Sequence, residues 1–384
     1  MDFLFATVFV LLGYLFVISF KRKLSQSNLT TLKQLYFYHL LFGIYYYFFV
    51  FGDSIGYWRQ AKLMTFDTFL HSFKEEQGTY FMYALNYIPS NILDLSYFTG
   101  TIMYSVIGFI GLAYFYVTAI DTITTNPKFK GYNLFPVLFF LPNLHFWSCA
   151  VGKDTLLFFC IGIFIYGVMN PTKRILFIIL ALSLSYVVRP HITLFMIISF
   201  GFAFIANNNK SIFQRVLFTS IMIGIAVSIF PLVLKFSKIE EATLDNFNNF
   251  ALTKASLLSK SYTSSAIDVS SYPFPIKVFT FLFRPFFFDI NSIPSLLAAI
   301  ENMILLVLTI SVFRNKPLTT FRKAPFVIQG MVYFLLIGTF AFSQSLGNLG
   351  IMIRMRNMFL PGLIIFLFWH FSSQNNEEIN NTSD

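Results

Sequence analysis

Charge is scarce in this chain. Only 11% of its 384 residues are Asp, Glu, Lys or Arg, while 56% are hydrophobic. Soluble domains carry about a quarter of their residues as charges, so a soluble reading is set aside. Cysteine is scarcer: Cys149 and Cys160 are the whole complement. Both fall in or beside apolar segments at a spacing that fits no metal motif, which argues against a disulfide framework and a zinc site. No basic residue precedes the first apolar run, Phe3 to Phe20, and Lys21, Arg22 and Lys23 follow it. A cleaved signal peptide has the opposite polarity, so a retained helix with its N-terminus outside is expected. No internal repeat is visible. An inverted-repeat transporter should show matching broken helices in its two halves, and no such pair stands out.

What is present is hydrophobicity in blocks. Mean hydropathy is +0.68, and apolar runs recur that are long enough to cross a bilayer. The expected fold class is an all-α, polytopic transmembrane bundle of about eleven helices. The expected spans are 3–20, 34–52, 99–120, 132–148, 155–169, 175–188, 192–206, 215–235, 294–313, 325–344 and 358–371. The fourth is interrupted by Pro136 and Pro142. Residues 1–371 then form a single transmembrane domain with two long outer loops, 53–98 and 236–293. The polar tail 372–384 is expected to be disordered and cytoplasmic.

The net charge of +10 suggests nucleic acid in a soluble protein. Here cytoplasmic loops rich in Lys and Arg account for it. Lys21, Arg22, Lys23, Lys128, Lys130, Lys173, Arg174, Lys210, Arg215, Arg314, Lys316, Arg322 and Lys323 all fall in expected inner turns. The chain reads as a multi-pass protein with its N-terminus out and C-terminus in. Aromatic residues reach 20%, with 53 Phe, as suits a lipid-facing and tightly packed bundle.

A second set of charges breaks the opposite ends of the spans. Charges inside a bilayer are costly, so they tend to face a cavity and one another. Asp53, beside Tyr57 and Trp58, ends the second span. Its carboxylate suits proton transfer from a hydroxyl, and the rings suit stacking on a sugar or an interfacial belt. The corner Pro142 to Asp154 carries His145, Lys153 and Asp154, all expected near the outer face. There Lys153 and Asp154 are either site residues or an ion pair holding two helices. Arg189-Pro190-His191 joins two spans; an Arg fork suits phosphate, and snorkelling to head groups is the alternative. Arg284 precedes Glu301-Asn302, the deepest carboxylate, on a Phe-rich stretch expected to lie along the membrane. Arg354 and Arg356 diverge by about 200° on one helix, so one of them can face the site. Together these residues are expected to line one outward-opening cavity.

Five short motifs resemble the bacterial O-antigen polymerases (Wzy-like), the EpsG-like proteins and the wider GT-C membrane glycosyltransferases. They are Gly52-Asp53, the Pro142-x-x-x-Phe-Trp-Ser corner with Gly152-Lys-Asp, Arg189-Pro-His, Phe283-Arg-Pro before Glu301-Asn302, and Asn348-x-Gly-x-x-x-Arg-x-Arg356. The resemblance implies polymerisation of undecaprenyl-pyrophosphate-linked repeat units at the outer face of the bacterial cytoplasmic membrane. It implies phosphate contacts from Arg189, Arg284, Arg354 and Arg356; Lys153, Asp154, Tyr57 and Trp58 are candidates at the substrate by their own placement. It implies an acidic base at Asp53; the residues themselves offer Glu301 and His191 as further catalytic candidates, the alternatives being a structural Glu–Arg pair and a structural histidine. The Asp follows the second span and has no acidic neighbour, so neither a metal nor another cofactor is expected. The expected partners are a polyprenyl-linked oligosaccharide, the lipid bilayer and other polysaccharide-assembly membrane proteins, and no nucleic acid. The rival enzyme is a GT-C transferase adding one sugar from a polyprenyl monophosphate. A polysaccharide or lipid-carrier transporter would need charges along its whole path, and the inner halves of these spans are nearly charge-free. A structural subunit of an envelope complex is the bland alternative.

Overall fold

A computed structural model describes residues 2–75, 77–206, 211–237, 243–259, 265–269 and 271–383. The chain is 81% helical and nearly all-α. Six of its helices are long and apolar enough to cross a membrane, or up to eight if each of two sharply bent pairs counts as one span. Ten of the eleven expected spans coincide with a helix, two of them short at 16 and 17 residues. The exception is 132–148, which is not a continuous helix. The chain divides into two compact units.

The first unit comprises Met1–Asp121 and Phe139–Thr193. It holds α1 (Asp2–Ser19), α2 (Gln26–Phe49), α3 (Asp53–Lys62), α4 (Phe66–Glu75), α5 (Thr79–Tyr87), α6 (Tyr97–Thr122), α7 (Pro142–Phe146), α8 (Lys153–Val168) and α9 (Pro171–Val188). α6 is its core helix, buried over most of its length, whereas α9 is largely exposed. Small residues make that possible by letting helices approach closely. A side chain on Gly111 would stand 2.8 Å from the Phe158 carbonyl, and one on Gly162 would meet Gly111 itself. Between α2 and α3 the axis bends by 79°, so Asp53 opens a new helix at the end of the second span.

The Pro142–Gly152 corner is a short helix followed by turns. Its polar side chains turn inward. His145, expected near the outer face, is fully buried, and its Nδ1 lies 3.1 Å from Nδ1 of the equally buried His39. The other ring nitrogen of His145 lies 2.8 Å from the Phe139 carbonyl oxygen, so it must carry the proton. His145 therefore helps pin the broken segment to α2 instead of lining an outer surface.

α8 and α9 form an antiparallel hairpin. At its closed end Arg174 stacks 3.6 Å above the Tyr166 ring, and Lys23 pairs with Asp121 at 2.5 Å and approaches the same ring. Lys153 and Arg189 lie at the other end of α8 and α9, about 20 Å away at 1.5 Å per residue.

The second unit comprises Thr122–Leu138 and Leu194–Asp384. A hairpin of β1 (Lys128–Phe129) and β2 (Tyr132–Asn133) turns at Lys130 and Gly131, both at positive φ. α10 (Pro190–Ala206) enters this unit at Leu194. It is followed by α11 (Ile212–Ser237), α12 (Leu244–Ser259), α13 (Phe274–Phe283), α14 (Ile293–Arg314), α15 (Pro317–Lys323), α16 (Phe326–Ser345), α17 (Leu349–Arg356) and α18 (Leu360–Ser383). Gly362 sits against the Met331 backbone, bringing α16 and α18 together. α18 continues as helix through the polar tail that composition predicts to be disordered. α13, expected to lie on the membrane, is packed into the unit along one side: Lys277, Thr280, Phe281 and Phe283 are buried, and Ile276 and Phe279 on the other side are exposed. Among the expected inner charges, Lys210 lies outside the described residues, as do 238–242, 260–264 and 270 of the second expected outer loop.

Candidate functional site

In the first unit four helix ends converge. α5 begins at Thr79, α8 begins at Lys153, and α9 stops where Pro190 follows Arg189, because proline cannot supply the next helical N–H. The Gly78 N–H donates to the Val187 carbonyl at 3.0 Å, tying the start of α5 to the end of α9. α3 packs on α5 and brings Asp53 to the same group. There burial, then Tyr80 and Asp53, raise the Tyr83 phenol above its ordinary value.

The side chains at this junction are mostly charged. Arg189 and Asp154 form an ion pair at 3.1 Å, with side chains only 14% and 8% exposed. Lys153 donates to the Thr79 hydroxyl at 2.7 Å and stands 5.7 Å from the centre of the Tyr57 ring. Tyr57 and Tyr83 rings are 6.1 Å apart. Asp53 is exposed, and His191 is half-buried in the first turn of α10. Thus Asp53, Tyr57, Lys153, Asp154 and Arg189, expected to act together, are neighbours within one unit. Trp58 is different. It is 2% exposed, its indole N–H donates to the Leu95 carbonyl at 3.2 Å, and its ring covers Gly100. It serves packing, and no face is left for a sugar. Thr79 and Tyr83 belong to the junction and were not anticipated; nothing in the local sequence of 79–83 marks them.

The second unit carries the remaining arginines. Asp289 grips Arg284 with two bonds, Nε to Oδ2 at 3.0 Å and Nη2 to Oδ1 at 2.5 Å, and also accepts from the Phe286 N–H at 2.8 Å. That bond to Asp289 raises the guanidinium pKa further above its usual value. Nη1 is not engaged by Asp289. Arg356 is fully buried. Its Nη1 donates to the Leu282 carbonyl at 2.5 Å, with the Phe281 and Arg284 carbonyls at 3.5 Å, and its Nη2 donates to Asn302 Oδ1 at 2.6 Å. Asn302 in turn donates to the Pro285 carbonyl at 2.8 Å, and Glu301, 1% exposed, lies close enough to Arg356 to act as its counter-charge. Arg356 therefore closes the C-terminal end of α13, where carbonyls lack helical donors. Arg354, two residues back, is half-buried.

Asn348 caps α17 by accepting from the Ile351 N–H at 3.1 Å, and it also accepts from the Ser265 hydroxyl at 3.1 Å. Gly347 lies against the backbone of Ala255 and Ile267, a close approach that leaves no room for a side chain. Among the described residues no three His, Cys, Asp or Glu gather as a metal-ligand set. Comparison with protein-family models, curated proteins and solved structures gives no match.

Proposed function

We propose that this chain is a membrane glycosyltransferase. In this reading it transfers sugar from a polyprenyl-(pyro)phosphate carrier at the outer face of a bacterial cytoplasmic membrane, polymerising lipid-linked repeat units. The convergence of Asp53, Lys153, Asp154 and Arg189 at one end of the first unit carries the reading. The basic groups Lys23 and Arg174 collect at the far end of the same hairpin, as expected if that end is cytoplasmic. The chain would cross the bilayer about eleven times, with α8 and α10 as short spans and 132–148 as a broken one.

The chemistry assigned to the junction is direct. The acceptor hydroxyl attacks the anomeric carbon while its proton passes to the Asp53 carboxylate. The bond from that carbon to the carrier phosphate breaks, and its electron pair stays on the phosphate oxygen. Arg189 and Lys153 stabilise that charge in a partly dry site. Asp154 holds Arg189 in place, the buried Tyr57 ring backs Lys153, and His191 is assigned to relay a proton. Arg356 and Glu301 are assigned to structure.

The test is the glycan ladder of cells that depend on this chain, with protein abundance measured alongside. Asp53→Asn should abolish polymer at normal abundance. Arg189→Ala should slow turnover by roughly 10–150-fold, the loss of one charge-assisted contact. A shift by one sugar in place of a ladder would select the single-sugar transferase. A normal ladder from both variants would eliminate the enzymatic reading.

A further inference from the structure

α4 (Phe66–Glu75) has three different sides. Phe66, Phe69, Leu70 and Phe73 recur at i, i+3, i+4 and i+7 and make one apolar stripe along it. One edge of that stripe is used inside the protein. Phe69 stacks on Tyr87 at 4.6 Å, the rings of Phe73 and Phe81 are 6.0 Å apart, and Ser72 on the same side is buried. The other edge stays exposed, at 61% for Phe66, 52% for Phe73 and 37% for Leu70. Asp67, His71 and Lys74 occupy the third side and are exposed as well. A helix with a packed side, an apolar exposed side and a charged side suits a boundary between hydrocarbon and water.

The chain on either side of α4 indicates which boundary. α2 and α3 form one of the bent apolar pairs, and α6, which follows, is long and apolar enough to cross a bilayer. α3 leaves the axis of α2 at 79°, so where α2 crosses the bilayer α3 runs close to its plane. α3 is about 15 Å long. Only Leu63, Met64 and Thr65 connect it to α4, and Leu63 is itself exposed. α4 is thereby kept at the surface from which α2 emerges, where an exposed apolar edge meets lipid. We infer that α4 is an interfacial anchor: Phe66, Leu70 and Phe73 are seated among the lipid chains just below the headgroups, with Asp67, His71 and Lys74 in water. α4 packs on α5, and α5 carries Thr79 and Tyr83 into the charged junction. The anchor therefore sets the depth of that junction at the headgroup layer, where the phosphate of a lipid-borne substrate lies. That use of the anchor rests on the glycosyl-transfer reading; the seating of α4 in lipid does not.

The experiment uses the full chain in vesicles of phosphatidylethanolamine and phosphatidylglycerol. Phe66→Cys, Asp67→Cys, Leu70→Cys, His71→Cys and Phe73→Cys, each in a background of Cys149→Ala and Cys160→Ala, carry a nitroxide label. Power saturation reads its collisions with oxygen, which enters lipid, and with a nickel chelate, which stays in water. The oxygen-to-nickel ratio should be severalfold higher at 66, 70 and 73 than at 67 and 71. Equal nickel access at all five positions overturns the anchor. Shielding of 66 and 70 from both reagents also overturns it, because protein and not lipid then covers the edge. A second measurement leaves the sequence unaltered. A phospholipid carrying a diazirine in its acyl chain, photolysed in the same vesicles, should mark the tryptic peptide Leu63–Lys74. Marking of α9 with none in Leu63–Lys74 overturns the inference even if the cysteine variants fail to fold. A seated α4 together with a normal glycan ladder from Asp53→Asn would keep the anchor and remove its link to transfer.

Discussion

Arg189 and Arg356 look alike in the sequence, each a cation among apolar residues. Their side chains serve different ends. The Arg356 fork is spent on carbonyls and Asn302 in the interior, where every lost bond leaves a buried polar group unsatisfied. Arg356→Met should therefore lower stability by about 3–5 kcal/mol, the usual cost of breaking a buried charge network. Thermal unfolding of the purified chain measures this, and an unchanged midpoint would show that the network is dispensable. Arg189 keeps a little solvent access and pairs with Asp154 at 3.1 Å. A double-mutant cycle of Arg189→Ala and Asp154→Asn should give a coupling of about 0.5–3 kcal/mol in stability. Activity should follow a separate pattern: Arg189→Lys should impair transfer nearly as much as Arg189→Ala, because an ammonium cannot replace a planar two-donor contact. Full glycan ladders from Arg189→Lys would argue that only its charge matters.

Among the elements, α6 and α8 depend on glycine at their contact. Gly162 and Gly111 meet backbone to backbone, and a Cβ on Gly162 would stand 2.7 Å from the Gly111 Cα. Backbone cannot withdraw as a side-chain tip can, so Gly162→Val should force the helices apart. The expected cost is at least about 1–3 kcal/mol of overpacking, seen as lower yield of folded protein in gel filtration. Gly224 makes the control. Nothing lies within 4 Å of the side chain it would carry, so Gly224→Ala should be neutral or slightly stabilising in the same assay. A severe loss from both variants, or from neither, would contradict the close α6–α8 crossing.

Across the whole molecule the prediction is one of sidedness. With α8 and α9 antiparallel, Lys173 and Lys153 lie at opposite ends of the hairpin. The proposed topology puts Lys173 and Lys316 in the cytoplasm and residues 60–70 outside. Single cysteines placed there, in a background lacking Cys149 and Cys160, should react with an impermeant thiol reagent in intact cells only in the 60–70 segment. Labelling at 173 with none at 67 would invert the orientation and remove the outer-face reaction.

The sequence by itself determined the class of the molecule. Apolar blocks with rare charges mark membrane-crossing helices because the period and length of hydrophobicity are local properties. Prolines and glycines marked the breaks at 52, 142, 190 and 347 for the same reason. It also identified the charged positions at the helix ends, since a charge in an apolar run stands out wherever it lies. Only the tertiary structure decided what each polar group faces. Trp58 and His145 were expected at a surface and are buried, because Leu95 and His39 supply partners from distant parts of the chain and the Phe139 carbonyl a nearby one. Arg284 and Arg356 were expected to await a ligand, and they meet Asp289 and the end of α13. Pairing depends on which helices cross and in what register, and one-dimensional hydrophobicity does not encode that.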